Sequence, residues 1–488
     1  MLNDLLSRLL PSRATVLVVA VLACAGCGGA TGPAADSPAD EEGTEEGTAE
    51  EPEELGEGAT ARRGGKCFEQ CAEYIEDASA LLDQAKALEG AEKAQVALFT
   101  RAGDAFVKAW RGCDLRLPRG EDLSCKGAEQ VVPKMVEAYA GAQRPDRLVY
   151  ACLVALDERW RDDAGELAGE APSKLRSAAA KAAEVAQDPK APHAAESMAA
   201  AVYGMLALDE VTEAERLAAR HAKRFGRTAP ESVSLVAAAL AAYFNDREQW
   251  QEAVGALGGA TNPSRAKHAP AKILWHSEKG RALAGLGRTG PAAREFQQVR
   301  ASWRTPDPKD PSKMVGRQEP APMLGRERVV DAVGAANLYL AEPLRRKADA
   351  LAPPRYRGAQ TPDGVEKYIG GPLVQWAHQR QRLIAAASKQ YERVLQIRPV
   401  PPPRWVVAAQ AEIGQMWDRF ADAMVSVELP PKLASDEGTK SAFEKALSGS
   451  ASPARDQARQ AFEACQKTAS TAGIDSPHAE ACERWLEK

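Results

Sequence analysis

From Cys67 to Lys488 the apolar positions return at intervals of three and four, and Ala, Leu, Glu, Arg and Lys fill most of the chain between them. A recurrence near 3.6 puts those positions on one face of a helix, and the residue types are strong helix formers. Two-residue alternation is nearly absent, so strands are not expected. The apolar runs are short, are broken by Gly, Pro or Asp, and come in pairs. Such a hairpin cannot bury its apolar face alone, and stacking on its neighbours buries a continuous core. The pattern therefore predicts an all-α chain, an α-solenoid of antiparallel helix hairpins following a disordered N-terminal tether.

Between Trp275 and Trp303, Gly280, Leu283, Gly287, Ala292 and Phe296 fall at mutual spacings of three, four, five and four. A second set, Ala387, Tyr391, Val394 and Pro399, is followed six residues later by Trp405. These runs resemble the tetratricopeptide repeat. The resemblance implies that Gly280 and Ala292 are close-contact positions between paired helices, Gly287 a turn and Phe296 a plug into the next pair. It likewise makes Pro399 a helix stop and Trp405 the large residue opening another repeat. Weaker copies surround Ala214, Trp250 with Ala253, and Ala458, Phe462 and Cys465, while Ala97–Trp110 reads as one helix of an N-terminal pair. At about 34 residues per unit, the body has room for about twelve units, which insertions reduce to roughly eight to ten.

The insertions are residues 304–328 and 351–364, both rich in Pro, Gly and base, and both read as loops between repeats. Around them stand Arg300, Arg304, Arg317, Arg326, Arg328, Arg345, Arg346, Lys347, Arg355 and Arg357. Of these, Arg317, Arg326, Arg328, Arg345, Arg346, Arg355 and Arg357 form a candidate basic patch for a partner. An acidic partner, the chain's own acidic segment, or solvent alone would each suit such a surface.

That acidic segment lies near the N-terminus. Residues 31–60 hold eleven carboxylates and no base, so although the whole chain has a net charge of −5, the part from Ala61 onward carries +5. Residues 27–65 contain a single large aliphatic residue, Leu55, and cannot bury enough apolar surface to offset their ordering entropy. They read as a tether with a coil span of about 30 to 40 Å. Before it, Arg8 and Arg13 precede an apolar run, Ala14–Ala23, that suits an export signal and is too short for a membrane span. Val21-Leu22-Ala23-Cys24-Ala25-Gly26-Cys27 resembles the lipobox of bacterial lipoproteins. The resemblance implies cleavage after residue 26 and a lipid on Cys27, with Cys24 the alternative. Gly28 and Gly29 follow in place of a retention aspartate, which implies an outer-membrane anchor with the body facing the periplasm. The expected organisation is a signal at 1–26, a tether at 27–65, disulfide-bearing hairpins at 66–160 and repeats at 161–303. A loop at 304–328 and C-terminal repeats at 329–488 complete it.

An exported chain lies where disulfides persist. Cys67 and Cys71, four apart, share a helix face, and Cys113 and Cys125 follow the returning helix, which predicts two bridges among them, Cys67–Cys125 and Cys71–Cys113 preferred. Cys465 and Cys482 are expected to pair across the last hairpin, and Cys152, inside an apolar run, to be a buried free thiol. There is no CxxC, HxxxH or HExxH, and the six histidines are scattered, so neither a metal site nor a cofactor is expected. No nucleophile elbow, phosphate loop, paired-carboxylate site or dinucleotide fingerprint is present, so the chain reads as no enzyme, with no small-molecule substrate. Nucleic acid is not expected of an exported chain without interleaved aromatic residues.

The run Pro401–Trp417, then Phe420-Ala421-Asp422-Ala423, Pro430-Pro431, Ala461–Cys465 and Cys482, resembles the C-terminal repeats of tetratricopeptide proteins in the myxobacterial adventurous gliding-motility machinery. This implies a structural role in an envelope complex: a scaffold binding other envelope proteins through the repeat groove and the membrane through its lipid. A chaperone or adaptor lipoprotein for outer-membrane protein assembly or export is the alternative.

Overall fold

The structure, a computed structural model, describes residues 58–88, 90–112, 130–156, 166–258, 261–307, 310–315, 325–398 and 401–488. Three helices open it: α1 (Gly58–Ala87), α2 (Glu92–Gly112) and α3 (Val131–Gly141). Hairpins then follow: α4 (Pro145–Leu156) with α5 (Glu166–Val185), α6 (Ala194–Ala207) with α7 (Val211–Phe225), α8 (Pro230–Asn245) with α9 (Trp250–Ala256), and α10 (Ala269–Gly285) with α11 (Thr289–Arg304). After a two-stranded ribbon, β1 (Pro306–Asp307) and β2 (Asp310–Met314), comes α12 (Gly325–Ala350). Short α13 (Pro362–Tyr368) leads through a π turn into α14 (Val374–Leu395), the partner of α12. Finally α15 (Pro403–Val425), short α16 (Pro431–Ala434), α17 (Glu437–Ala472) and α18 (Pro477–Leu486) close the stack.

The packing has two layers. The first helices of successive hairpins touch in series, α4 to α6, α8, α10, α12 and α15, and each also packs on its own second helix, α5, α7, α9, α11, α14 or α17. This is the α-solenoid that the apolar periodicity predicts. Its hairpin turns share one backbone device. Asp209, Glu248 and Gly287 all have positive φ, 62°, 58° and 71°. The next amide in each turn reaches back to close the helix end: Glu210 to Met205, Gln249 to Phe244 and Arg288 to Leu283, each 2.9 Å. That six-to-one bond with a left-handed residue satisfies carbonyls a helix end leaves bare. The three left-handed residues stand 39 apart, so the central units are longer than the 34 residues expected.

Small residues set how closely the helices approach. A Cβ at Gly280 would lie 2.9 Å from the Phe296 ring, and one at Gly414 would lie 2.8 Å from the Phe462 ring. Both glycines are on first helices and both rings on the second helix of the same hairpin, so one packing solution occurs twice. Buried apolar residues form an N-terminal cluster around Phe106, Met135 and Tyr139, a second around Leu175, Met198 and Leu217, and a large one from Leu235 to Ala454. A small cluster around Phe462 seals the C-terminal end.

Several boundaries differ from the sequence reading. Helix α1 begins at Gly58, inside the segment assigned to the tether. The 304–328 insertion contains the β ribbon, and α12 starts within it at Gly325. Strand pairing there escapes the sequence because its residues, Asp310-Pro311-Ser312-Lys313-Met314, carry no apolar alternation. The 351–364 insertion is tied down rather than free. Trp376 Nε1 donates to the Leu351 carbonyl at 3.0 Å, the buried Arg380 donates to it at 3.3 Å, and Tyr368 bonds the Pro354 carbonyl. Long helices such as the 36-residue α17 also absorb chain that short repeats would have used. Among the described residues six hairpins follow the three N-terminal helices.

Candidate functional site

The first helices turn one face each toward a common groove of about 760 Å³. Helix α8 contributes Leu235, Ala238, Ala242 and Asp246, and α10 contributes Leu274, Glu278 and Arg281. From α12 come Arg328, Asp331, Ala332, Ala335, Tyr339, Glu342 and Arg346, and from α15 Arg404, Trp405 and Glu412. On α8 and α10 these residues recur at three and four, and on α12 they do so apart from the adjacent Asp331 and Ala332, so each of these helices lines the groove with a single face. Alanines on α8 and α12 leave the floor open to close approach. Trp250, Phe296 and Tyr391 reach in from second helices.

Aromatic residues there are held by their neighbours. The Phe296 and Tyr339 rings lie 4.6 Å apart, centroid to centroid. Trp250 packs where a Cβ on Gly285 would come within 2.3 Å. Trp405 fills the space over Gly334, where a Cβ would lie 2.5 Å from its ring. Its Nε1 donates to Asp331 at 2.8 Å, and Arg404 lies 4.7 Å over its ring while pairing with the same Asp331.

Most charges of the groove are matched, Arg328 being exposed and outside any ion pair among the described residues. Glu278 accepts from Asn245 at 2.8 Å and pairs with Arg281 at 2.9 Å, and Arg281 reaches Asp246 at 2.7 Å. Burial pushes the Glu278 carboxyl up, and Arg281 and Asn245 oppose the rise. Further along, Arg345 binds Glu342 at 2.6 Å, Asp349 at 2.8 Å and Glu412 at 3.1 Å, with its side chain 17% exposed. Against burial, which would raise it, hydrogen bonds from Arg345 and Arg346 hold the Glu342 carboxyl below the usual range. Tyr391, fully buried, points its hydroxyl at Glu342 at 3.4 Å, and burial with the charges of Glu412 and Glu342 drives its ionisation upward. Arg419 completes the cluster on Asp349 at 2.6 Å.

The residues singled out in the sequence divide accordingly. Gly280, Ala292 and Phe296 come together in the α10–α11 hairpin, and Gly287 is its left-handed turn. Ala387 and Tyr391 are buried on α14, and Trp405 opens α15. Pro399 lies outside the described residues, as do Cys24, Cys27, Cys113, Cys125 and Arg317, and the side chains of Cys67, Cys71 and Arg326 are likewise not described. Cys465 and Cys482 form a disulfide, and Cys152 is a buried free thiol. Of the basic patch, Arg328 and Arg346 both line the groove. Arg345 and Arg346 are on α12, neutralised by Glu342, Asp349 and Glu412, whereas Arg328, Arg355 and Arg357 are exposed. Sequence reading missed Tyr339, Glu342 and Glu412. The run Glu342-Pro343-Leu344-Arg345-Arg346-Lys347-Ala348-Asp349 does carry the i, i+3 and i, i+4 pairs that build the local half of the cluster. Among the described residues no group of three or more His, Cys, Asp or Glu could hold a metal ion, and no helix is long and apolar enough to cross a membrane.

No protein-family model matches the chain, and no curated protein matches it. A solved structure described as "Circular tandem repeat protein with novel repeat topology and enhanced subunit contact surfaces" is similar over 88% of this chain and 95% of its own length, at 13% identity and a TM-score of 0.20. A superposition that loose transfers no site.

Proposed function

We propose that this chain is a non-enzymatic scaffold that binds other envelope proteins through the inner groove. The observation that carries the reading is the groove itself: an alanine floor, aromatic side chains fixed by glycine contacts, and arginines already oriented by carboxylates. Fixed aromatic and arginine groups are the residue types that dominate binding energy at interfaces. A promiscuous client-binding surface instead relies on adaptable, Met-rich packing, and no methionine lines this groove. The groove therefore favours one defined partner over many extended clients. The lipobox resemblance supports attachment to the outer membrane through Cys27 or Cys24, with the body in the periplasm, and the C-terminal resemblance supports a place in a gliding-motility or related envelope complex. Anchoring would raise the local concentration of the groove near membrane partners, so modest affinity suffices.

The test is a crosslinked pull-down of the tagged full-length protein from its native membranes, beside two variants. Ala335→Trp fills the groove, and a Cys24→Ala, Cys27→Ala double variant removes the anchor. A small stoichiometric set of envelope proteins, lost with Ala335→Trp and reduced without the lipid, is the expected result. Recovery of many nascent outer-membrane proteins would favour the chaperone, and a set unchanged by Ala335→Trp would sink the groove reading.

A further inference from the structure

The second helices carry charge of another kind. On α7, Ala214, Leu217, His221 and Phe225 form the buried side. Arg216, Arg220 and Lys223, spaced by four and three, share a different face, and Arg227 follows one turn on. On α11 the buried side is Ala292, Phe296, Val299 and Trp303, and Arg294 and Arg304 are exposed. On α14, Arg382 and Lys389 stand seven apart on the face opposite Ala387, Tyr391 and Val394. Carboxylates on these helices offset them only in part: Glu213 is taken by Arg216 and also feels Arg220, Glu295 is taken by His276 and Lys279, and Glu392 feels Lys389. Among the described residues, Arg220, Lys223, Arg227, Arg294, Arg382 and Lys389 stand in no ion pair. Nearby Arg393 has a buried Nη1 without a hydrogen-bond partner.

We infer that this outer face is covered by the chain's own acidic segment, residues 31–57. The segment and the face are complementary: residues 31–60 hold eleven carboxylates and no base, against a row of unpaired guanidinium and ammonium groups. The segment also ends where it must, at Gly58, the first residue of α1 and hence the N-terminal end of the stack. Packed helices lie 8–10 Å apart, which places α7, about four layers on, roughly 40 Å from α1. A segment of this length spans about 30 Å as a coil and up to about 90 Å extended, so α7 is within reach and α11 is reached by a partly extended chain. Covalent attachment gives it an effective concentration on the order of millimolar, enough for weak, salt-sensitive contacts to persist. In the groove the same carboxylates would gain less, since Arg281, Arg345, Arg346 and Arg404 already have acidic partners. An anionic membrane is the competing occupant. It would have to displace a polyanion fastened to the same chain.

The inference is independent of the groove reading and is tested without any partner. The full chain carrying Cys24→Ala and Cys27→Ala, so that no lipid contributes, is treated with a zero-length carbodiimide, which joins carboxylates to lysine amines. Coupled peptides are then mapped by mass spectrometry at about 20 mM and about 500 mM salt. Coupling of Glu41–Glu57 to Lys223 should exceed coupling to Lys432 and Lys467 by about tenfold at low salt and fall by a similar factor at high salt. Even coupling across all exposed lysines would overturn the inference. In a second arm, the same chain with Glu41, Glu42, Glu45, Glu46, Glu50, Glu51, Glu53, Glu54 and Glu57 each changed to Gln is offered vesicles of phosphatidylglycerol and phosphatidylcholine. Uncovering the face should strengthen vesicle binding about fivefold or more. Equal binding by the two chains would mean that the segment does not cover the face.

Discussion

The inner groove and the outer helices are built from the same stock of arginines and treat them oppositely. In and beside the groove, Arg281, Arg345, Arg346 and Arg404 each stand against a carboxylate, Arg328 being the exception. On the outer helices, Arg294 and Arg382 stand in no ion pair among the described residues, and Arg220 acts on Glu213 only at a distance. The difference follows from solvation. At Arg345, whose side chain is 17% exposed, water is partly excluded and an unmatched charge is costly, whereas Arg346 and Arg404 are 70% and 58% exposed and form surface pairs. Outer cations keep their hydration and need no partner to be tolerated. Recognition in the groove should therefore depend on shape and fixed hydrogen bonds, and recognition on the outer face on ionic strength.

The sharpest way to break the comparison is to delete one cation from each region. Arg345→Met strands Glu342, Asp349 and Glu412 in a half-buried site and should lower the unfolding free energy by about 3 to 4 kcal/mol in urea titration. Arg382→Met on the outer face should move it by no more than about 0.5 kcal/mol. Equal losses would show that solvation does not separate the two regions.

Within α7 the contrast can be read by pH. His221 is fully buried opposite the basic stripe, its Nε2 3.1 Å from the Ala195 carbonyl oxygen and 3.2 Å from Ser232 Oγ, and burial lowers its pKa to about 4. Between that value and the unfolded value near 6.5, the unfolded chain binds the extra proton. Stability from this group is thus complete above about pH 6.5 and is lost as the pH falls toward 4, up to a ceiling of roughly 3 kcal/mol. Urea midpoints between pH 4 and 7 should show this slope, and it should flatten in His221→Gln. A slope unchanged by that substitution would assign the dependence to other groups.

A smaller effect tests the groove wall. Gly334→Leu places a side chain against the Trp405 ring, where even a Cβ would lie 2.5 Å away. Overpacking of this kind costs about 1 to 3 kcal/mol. Trp405 should tilt off Asp331, giving a shifted tryptophan emission, and the pull-down should lose its partner. Retained emission and retained partner would mean that Trp405 is not held by this contact.

How much of this the sequence discloses depends on distance along the chain. The left-handed turn at Gly287 and the Gly280–Phe296 contact are legible because both lie within one hairpin, where local spacing and residue size decide the outcome. Asp209 and Glu248 adopt the same left-handed turn without glycine, so the 39-residue period they mark is not announced by residue type. The Glu342–Arg345–Asp349 half of the groove cluster is a helical spacing visible in the sequence. Its other half, Glu412, arrives from α15, and only the angle at which first helices stack brings it there. Arg380 is the plainest failure. A cation in a helix reads as surface, yet it is buried, bonding the carbonyls of Leu351 and Arg419 and lying 5.8 Å from the ring centroids of Trp376 and Phe420.

The Cys465–Cys482 bond, 17 residues apart in sequence, joins α17 to α18. If the chain is held at α1 and pulled from beyond α18, the load crosses at Cys482 through a covalent bond into the last third of α17, bypassing the first half of α18. Helix α18 is therefore not the first thing to peel, and a stack that would otherwise unzip hairpin by hairpin bears tension instead at the α15–α17 interface.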